Sequence, residues 1–287
     1  MDKELLKIEN LTIGFPTKSG IHTVVDHVNL EVGKGEIVGI VGESGSGKSM
    51  TSLAVMGLLS EEAQVSEGSI QLNGQELLGM SREERRKIQG KNMSMVFQEP
   101  MTSLNPVMKI GDQIMKAILM HQKVSKKEAE EKAIEMLRMT GLPRVEKMMK
   151  EYPFQLSGGM RQRVIIALAT FMSPNVVLAD EPTTALDVVV QKGILKMLMR
   201  LQKQLKNTMV IVSHDMGVHY QITDRMAIMY SGSIIELGPT DAIFNDPIHP
   251  YTKMLVDSLP RVGDKSQKVG IPGRPPALKN PPPGCRF

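Results

Sequence analysis

The sequence has no tryptophan and only one cysteine, Cys285, in 287 residues. A single thiol excludes a disulfide within the chain and any metal site built only from its own cysteines. Aromatic residues make up 3% of the chain while methionine occurs 23 times, so methionine is expected to fill core space that phenylalanine fills elsewhere. The low cysteine content is typical of a reducing compartment.

Long apolar runs are also missing. No stretch approaches the roughly 20 apolar residues of a membrane-spanning helix. The opening residues, MDKELLKIEN, have neither the basic flank nor the apolar run of a secretory signal, so a cytosolic location is expected. The net charge of +4 is too small to demand nucleic acid or an anionic membrane as a partner.

The first ninety residues alternate between strand and helix patterns. Residues 5–15 and 24–32 alternate apolar and polar side chains, which predicts two antiparallel strands. Residues 36–41 form a short apolar run typical of a buried strand, and a helical pattern covers residues 48–59. The charged segment at residues 81–87 predicts a solvated helix.

An all-helical insertion is expected at residues 110–152. Ser125 and Glu128 have the spacing of a capping box at a helix start, and Gly141 is placed to end that helix.

Strands return in the last third of the chain. Residues 176–179, 188–206 and 209–212 have the patterns of strand, helix and strand, which implies a parallel sheet with a crossover. A hairpin is expected to turn at Ser231-Gly232. The proline-rich residues 271–287 predict an extended tail rather than a packed element.

Residues 42–49 match the P-loop pattern G-x-x-x-x-G-K-[ST] between a predicted strand and a predicted helix. Its backbone N–H groups and the helix dipole would surround phosphates, Lys48 would reach the β- and γ-phosphates, and the Ser49 hydroxyl would bind Mg²⁺. An accidental glycine-rich turn is the alternative, and the flanking elements argue against it. The residues expected to contact ATP here are Gly42, Glu43, Ser44, Gly45, Ser46, Gly47, Lys48, Ser49 and Met50.

Two carboxylates, Asp180 and Glu181, follow the apolar run at residues 176–179. Ligands of parallel sheets bind at the carboxyl ends of strands, so Asp180 would hold Mg²⁺ and Glu181 would orient or deprotonate the attacking water. Alone, this pair is explained as well by helix capping, but together with a P-loop it indicates a nucleotide hydrolase.

Residues 156–163, Leu-Ser-Gly-Gly-Met-Arg-Gln-Arg, resemble the signature motif of ABC-type ATPases. A serine and two glycines at a helix start offer a hydroxyl, backbone donors and a dipole end, which suit a second phosphate site. In ABC ATPases two nucleotide-binding domains stack head to tail. The resemblance therefore implies that this chain closes over ATP held by a second subunit, through Ser157, Gly158, Gly159, Gln162 and Asp187.

Other residues match motifs of the same family in the expected order. Gln98 resembles the Q-loop glutamine, which would contact Mg²⁺ and the attacking water. Asp187 lies in a segment that resembles the D-loop, and His214 resembles the switch histidine that contacts the γ-phosphate and supports Glu181. Phe15 lies where the family places an aromatic ring against adenine, although a core phenylalanine on an edge strand would look the same.

The resemblance extends to one branch of the family, the oligopeptide, dipeptide and nickel importers. Residues 97–106, 249–252 and 271–287 are similar to segments characteristic of that branch. There the tail usually continues with further cysteines that resemble ligands of an iron–sulfur cluster. Since a [4Fe–4S] cluster normally needs four thiolates, no cluster is expected with Cys285 alone, unless the sequence is truncated.

The resemblance implies a fold, cofactors and partners. The fold is an α/β P-loop NTPase (RecA-like) core with an antiparallel β subdomain and an inserted α-helical subdomain. ATP and Mg²⁺ are the expected cofactors, and peptide import is the expected process. Expected partners are an identical or paralogous ATPase subunit, two transmembrane permease subunits and an extracytoplasmic solute-binding protein, with this chain peripheral on the cytoplasmic face of the membrane.

Four segments are expected along the chain. Residues 1–91 hold the β subdomain and the P-loop, and residues 92–158 hold the Q-loop and the helical subdomain. Residues 159–240 complete the catalytic core, and residues 241–287 form the C-terminal extension.

Three other functions remain as alternatives. The same kind of ATPase subunit could power the import of nickel or another small solute. A soluble ABC ATPase acting on nucleic acid would show a coiled coil, a second P-loop or a strong basic patch, and the sequence has none of them. A regulatory module without hydrolysis would have Glu181 or His214 replaced, and both are present.

Overall fold

A computed structural model describes residues 4–18, 20–98, 103–259, 270, 271, 273, 275, 276, 282 and 284–287. The chain divides into two compact units. Unit 1 comprises residues 1–88 and 208–287, and unit 2 comprises residues 89–207.

Unit 1 contains an antiparallel sheet. Its strands are β1 (Glu4–Thr17), β2 (Gly20–Gly33), β4 (Gln64–Leu72) and β5 (Gln75–Glu76), in the order β2-β1-β4-β5. Both predicted N-terminal strands are present and longer than their apolar cores, because backbone pairing continues past the last alternating residue. The inward side chains of β1 are fully buried, which explains the alternation in the sequence.

A second group of strands in unit 1 is mostly parallel. β3 (Ile37–Val41) pairs in parallel with β8 (Thr208–Ser213) and β9 (Arg225–Tyr230), and β10 (Ser233–Pro239) pairs antiparallel with β9. Every residue of β3 and β8 is buried, as expected for parallel strands covered on both faces. Ser231 and Gly232 have φ values of 46° and 90°, so the predicted hairpin turn has the left-handed geometry of a tight β-hairpin.

Five helices lie in the described part of unit 1. They are α1 (Lys48–Met56), α2 (Arg82–Ile88), α8 (Met216–Ile222), α9 (Thr240–Asn245) and α10 (Pro250–Asp257). α1 ends earlier than its apolar pattern, because Gly57 adopts the left-handed conformation and caps it. α2 buries no residue, as its charge pattern predicts.

Unit 2 combines a pair of strands with the predicted helices. β6 (Met93–Val96) and β7 (Val176–Asp180) are parallel. Outside residues 99–102, which are not described, the helices of this unit are α3 (Ile110–His121), α4 (Lys126–Met139), α5 (Val145–Met148), α6 (Gly158–Thr170) and α7 (Val188–Leu205), with one 3₁₀ turn at Pro153–Gln155.

The predicted capping box at α4 is confirmed. The Glu128 N–H donates to the Ser125 hydroxyl over 3.2 Å, and the Ser125 N–H donates to the Glu128 carboxylate over 2.7 Å. Gly141 follows the end of α4 with a φ of 70°. Both ends of this helix were therefore predictable from local side-chain chemistry.

The expectation of an unpacked C-terminal tail is wrong for its last residues. Arg286 forms an ion pair with Asp26, and the Phe287 ring contacts Tyr230 and Tyr251. Composition favours an extended tail because proline prevents regular structure. It does not exclude packing by an arginine and a phenylalanine at the end of an extended segment.

Among the residues that the structure describes, no helix is both long enough and apolar enough to cross a lipid bilayer.

Candidate functional site

The P-loop joins β3 to α1 in unit 1. Gly47 precedes α1 with a φ of 102°, and Gly45 has a φ of 80°, both in the left-handed region that glycine tolerates. Gly42 is required for a different reason, since a Cβ there would lie 2.1 Å from the Met229 carbonyl oxygen. The glycine spacing of the motif therefore serves both the turn and its close packing on the end of β9.

Lys48 is the first residue of α1, and its ammonium group lies over the loop. It donates to the carbonyl oxygens of Gly42 over 2.8 Å and of Glu43 over 2.7 Å, with 7% of the residue exposed. Glu43, Ser44 and Gly45 are exposed at the tip of the loop. The arrangement places a desolvated positive charge at a helix N-terminus, which suits phosphate oxygens.

His214 follows the buried strand β8, also in unit 1. Its side chain is exposed, and the adjacent Asp215 caps α8 by accepting from the Gly217 and Val218 N–H groups over 2.8 and 3.3 Å. The cap holds the turn that carries His214 in a defined conformation.

Sequence reasoning missed His219, on α8. This histidine is fully buried, its Nε2 lies 3.3 Å from the Ser213 carbonyl oxygen, and its Nδ1 would lie 2.3 Å from a Cβ at Gly39. Gly39 on β3 therefore leaves room for His219 under the strand that leads into the P-loop. The only signal in the sequence is a glycine inside an apolar strand, which marks a close approach.

Phe15 lies on β1 opposite His22 of β2 and is partly exposed. Its burial is intermediate, between that of the core residues and that of the exposed surface. Its contact with adenine stays a prediction.

The two carboxylates in unit 2 lie at the end of β7. Asp180 and Glu181 are both buried, and Glu181 has a φ of 48°, uncommon for a residue with a side chain. The Thr184 hydroxyl donates to the Glu181 carboxylate over 2.7 Å. A buried, oriented carboxylate on a strained turn is a typical feature of a catalytic position.

Gln98 lies two residues beyond β6, the parallel neighbour of β7. Since parallel strands present their carboxyl ends at one edge, Gln98 and the two carboxylates follow the same edge of this strand pair. Gln98 is exposed, and residues 99–102 of the predicted Q-loop lie outside the described residues.

The signature and D-loop segments lie side by side in unit 2. Ser157 caps α6 by accepting from the Met160 N–H over 3.3 Å, and Asp187 caps α7 by accepting from the Val190 N–H over 2.9 Å. A Cβ on Gly159 would lie 2.5 Å from the Val190 side chain, so the two helix starts are in contact. Ser157 and Asp187 are both exposed.

Gln162 differs from the other signature residues. Only 1% of it is exposed, and its amide nitrogen and oxygen have no hydrogen-bond partner among the described residues. A contact with nucleotide on a second subunit would require this side chain to leave the interior of unit 2. The role of Gln162 as a nucleotide contact stays a prediction.

Gly159 offers a test that separates packing from nucleotide contact. We expect Gly159→Ala to lower the free energy of unfolding by about 1–3 kcal/mol, because the new methyl group overlaps Val190. The double variant Gly159→Ala, Val190→Ala should regain most of that stability, measured by thermal unfolding. If ATP hydrolysis remains low in the stable double variant, Gly159 contributes beyond packing. Recovery of both properties would leave the glycine a packing role only.

Comparisons with known proteins match this arrangement. The family model described as ABC transporter matches residues 25–184, and the model for the C-terminal region of oligopeptide/dipeptide transporters matches residues 235–287. The oligopeptide transport ATP-binding protein OppD of Bacillus subtilis is 44% identical over 286 residues, which cover 99% of this chain and 80% of that protein. The dipeptide transport ATP-binding protein DppD of Lactococcus lactis is 43% identical over an alignment that covers 100% of this chain and 82% of that protein.

Solved structures share the fold. A dimeric post-hydrolysis structure of the ATP-binding cassette MJ0796 with ADP and Pi aligns with a TM-score of 0.73 and 28% identity, over 82% of this chain and 99% of that chain. CbiO1 from Clostridium perfringens, part of the ABC transporter complex cbiONQ, aligns with a TM-score of 0.74 and 26% identity, over 85% of this chain and 92% of that chain. The predicted fold class is confirmed. With a family model matching more than half of its residues and relatives above 40% identity along nearly its whole length, the chain belongs to the ATP-binding proteins of the ABC transporter family.

Proposed function

We propose that this chain binds and hydrolyses ATP to power peptide import. The observation that carries the ATP part is the desolvated Lys48 ammonium group at the N-terminus of α1, held by carbonyls of a P-loop. The match of residues 235–287 to the C-terminal region of oligopeptide/dipeptide transporters favours peptides over nickel as the cargo. Relatives named for oligopeptide and dipeptide transport support the same choice.

The proposed chemistry assigns roles to most of the predicted residues. The P-loop, Lys48 included, binds the phosphates, and Phe15 stacks on adenine. Bound Mg²⁺ would neutralise charge on the phosphates, and the oxygens of Ser49, Gln98 and Asp180 are hard ligands that suit it.

Two further residues take part in hydrolysis itself. Glu181 orients it and accepts its proton, since a carboxylate already ordered by Thr184 needs no rearrangement to do so. His214 contacts the γ-phosphate and supports Glu181.

A second ATPase subunit, identical or paralogous, would complete each site. Ser157, Gly158, Gly159 and Asp187 would contact ATP held by that subunit. In support, the exposed surface beside Asp187 is apolar: Val188 is 77% exposed and Val189 82% exposed. Two valines in water at a helix start suit a surface that another subunit covers.

The remaining partners follow from the family. Two transmembrane permease subunits would hold the ATPase at the cytoplasmic face of the membrane, and an extracytoplasmic binding protein would deliver the cargo.

Reconstitution with the permeases and the binding protein tests the cargo. We expect ATP hydrolysis by the assembled transporter to rise when the binding protein is loaded with a di- or oligopeptide, because only the loaded protein favours the ATP-closed state. Phosphate release is the measurement, with the unloaded binding protein as the control. Stimulation by nickel and not by peptide would overturn the peptide assignment. Stimulation of the chain by DNA would overturn transport itself.

A further inference from the structure

The C-terminal residues of unit 1 contact the turn between β9 and β10. The Arg286 guanidinium donates to the Ser231 carbonyl oxygen and forms an ion pair with the Asp26 carboxylate on β2. Both side chains of the ion pair are mostly buried, with 15% and 22% of their surfaces exposed. A mostly buried arginine that donates to a backbone carbonyl as well as to a carboxylate is held in one geometry better than an arginine in a surface ion pair.

The same turn supports the P-loop. The Gly232 N–H donates to the Ser46 carbonyl oxygen over 3.1 Å, and the Asp26 N–H donates to the Gly232 carbonyl oxygen over 2.8 Å. The end of β9 also lies against Gly42, where a Cβ would overlap the Met229 carbonyl. One short path of hydrogen bonds therefore runs from Arg286 through the turn to the loop that carries Lys48.

An aromatic cluster forms a second path. The centroid of the Phe287 ring lies 5.7 Å from that of Tyr230 and 5.5 Å from that of Tyr251, both edge-on, and the centroids of the two tyrosine rings are 4.5 Å apart. Tyr251, on α10, is fully buried. Burial raises the pKa of its phenol, with a smaller contribution from the carboxylate of Glu43.

We propose that Arg286 and Phe287 are positioning residues for nucleotide binding. Together with Tyr251 they form a C-terminal clasp, which holds the β9–β10 turn against the P-loop. A glycine-rich loop pays conformational entropy when it orders around phosphates, and a clasp that restricts the loop beforehand reduces that cost. The C-terminal extension thereby tunes the affinity for ATP, an effect that rests on the P-loop being the ATP site.

Arg286→Ala tests the clasp on the full chain. We expect the Kd for ATP to rise roughly fivefold or more, the lower range of coupling between two linked sites. The KM should rise with it, while kcat at saturating ATP changes little, because the clasp acts on binding and touches no reacting atom. Isothermal titration gives the Kd, and phosphate release at varied ATP gives the kinetic constants.

Arg225→Ala is the matched control. Arg225 also bridges a backbone carbonyl and a carboxylate in unit 1, those of Glu31 and Glu36, each over 3.2 Å. Its loss should leave the Kd for ATP unchanged, even where it lowers the unfolding temperature as much as Arg286→Ala does. Arg286→Lys keeps the charge but not the planar fork that donates to both the Ser231 carbonyl and the Asp26 carboxylate, so it should restore only part of the affinity.

Each outcome decides a separate point. If Arg286→Ala binds ATP as the parent does, or if Arg225→Ala weakens binding equally, the clasp has no specific role. If the parent itself binds no ATP, or if Lys48→Ala binds it normally, the P-loop assignment fails instead.

Discussion

Glu181→Gln is expected to lower the rate of ATP hydrolysis at least about 100-fold, the usual contribution of a general base, while ATP binding persists. The amide keeps the size of the carboxylate and can still accept from the Thr184 hydroxyl, which lies 2.7 Å from the Glu181 oxygen. The fold should therefore be retained, and only the ability to take a proton from water is lost. Phosphate release under saturating ATP is the measurement.

The same variant should accumulate an ATP-bound dimer. A ligand that binds only the closed pair stabilises that pair for as long as it is not consumed. Light scattering with ATP detects the pair, with the paralogous subunit added if the chain does not pair with itself. Glu83→Gln, an exposed substitution on α2, is the control and should change neither property. Hydrolysis by Glu181→Gln at the parent rate would show that another group is the base.

Lys48→Ala is expected to weaken ATP binding itself by roughly 100-fold, since truncating one member of a buried charged pair costs about 2–5 kcal/mol. At 7% exposure, the ammonium group meets little competition from water, so its attraction to phosphate is strong. Titration with ATP gives the Kd. This defect differs from that of Glu181→Gln, in which nucleotide stays bound and turnover stops.

Stability must be measured beside affinity for Lys48→Ala. The variant also removes the hydrogen bonds to the Gly42 and Glu43 carbonyls. Lys91→Ala, at an exposed lysine of unit 2, is the control for loss of a positive charge. An unchanged Kd for Lys48→Ala with an intact fold would contradict the assignment of the phosphate site.

Local chemistry made most of the secondary structure predictable. The capping box of Ser125 and Glu128 and the glycine at position 141 define both ends of α4 without any tertiary contact. The Ser231-Gly232 turn was predictable for the same reason, because glycine tolerates a positive φ. The start of α1 followed from the P-loop motif itself.

Contacts between residues distant in the chain set features that the sequence pattern does not record, such as the length of some strands and the packing of the C-terminal residues. β1 runs from Glu4 to Thr17 because two neighbours pair with it, and no residue at its ends signals that length. The packing of Arg286 and Phe287 was missed because their partners, Asp26 and Tyr230 among them, lie far away in the chain.

In the candidate site too, some properties could be predicted from the sequence and others could not. Its residue types were visible in the order of motifs, since a P-loop lysine, a carboxylate pair and a signature serine each need a fixed local spacing. Burial was not visible. Gln162 has the sequence position of a nucleotide contact but is 1% exposed, because the register of α6 turns it inward.

By itself, the sequence determined the family and predicted the chemistry of the site, because phosphate loops and helix caps are made by neighbouring residues. Only the tertiary structure decided which side chains are desolvated, why Gly42 and Gly159 admit no side chain, and that Arg286 packs on the β9–β10 turn. Those features depend on residues that fold together from distant positions, and no local spacing records them.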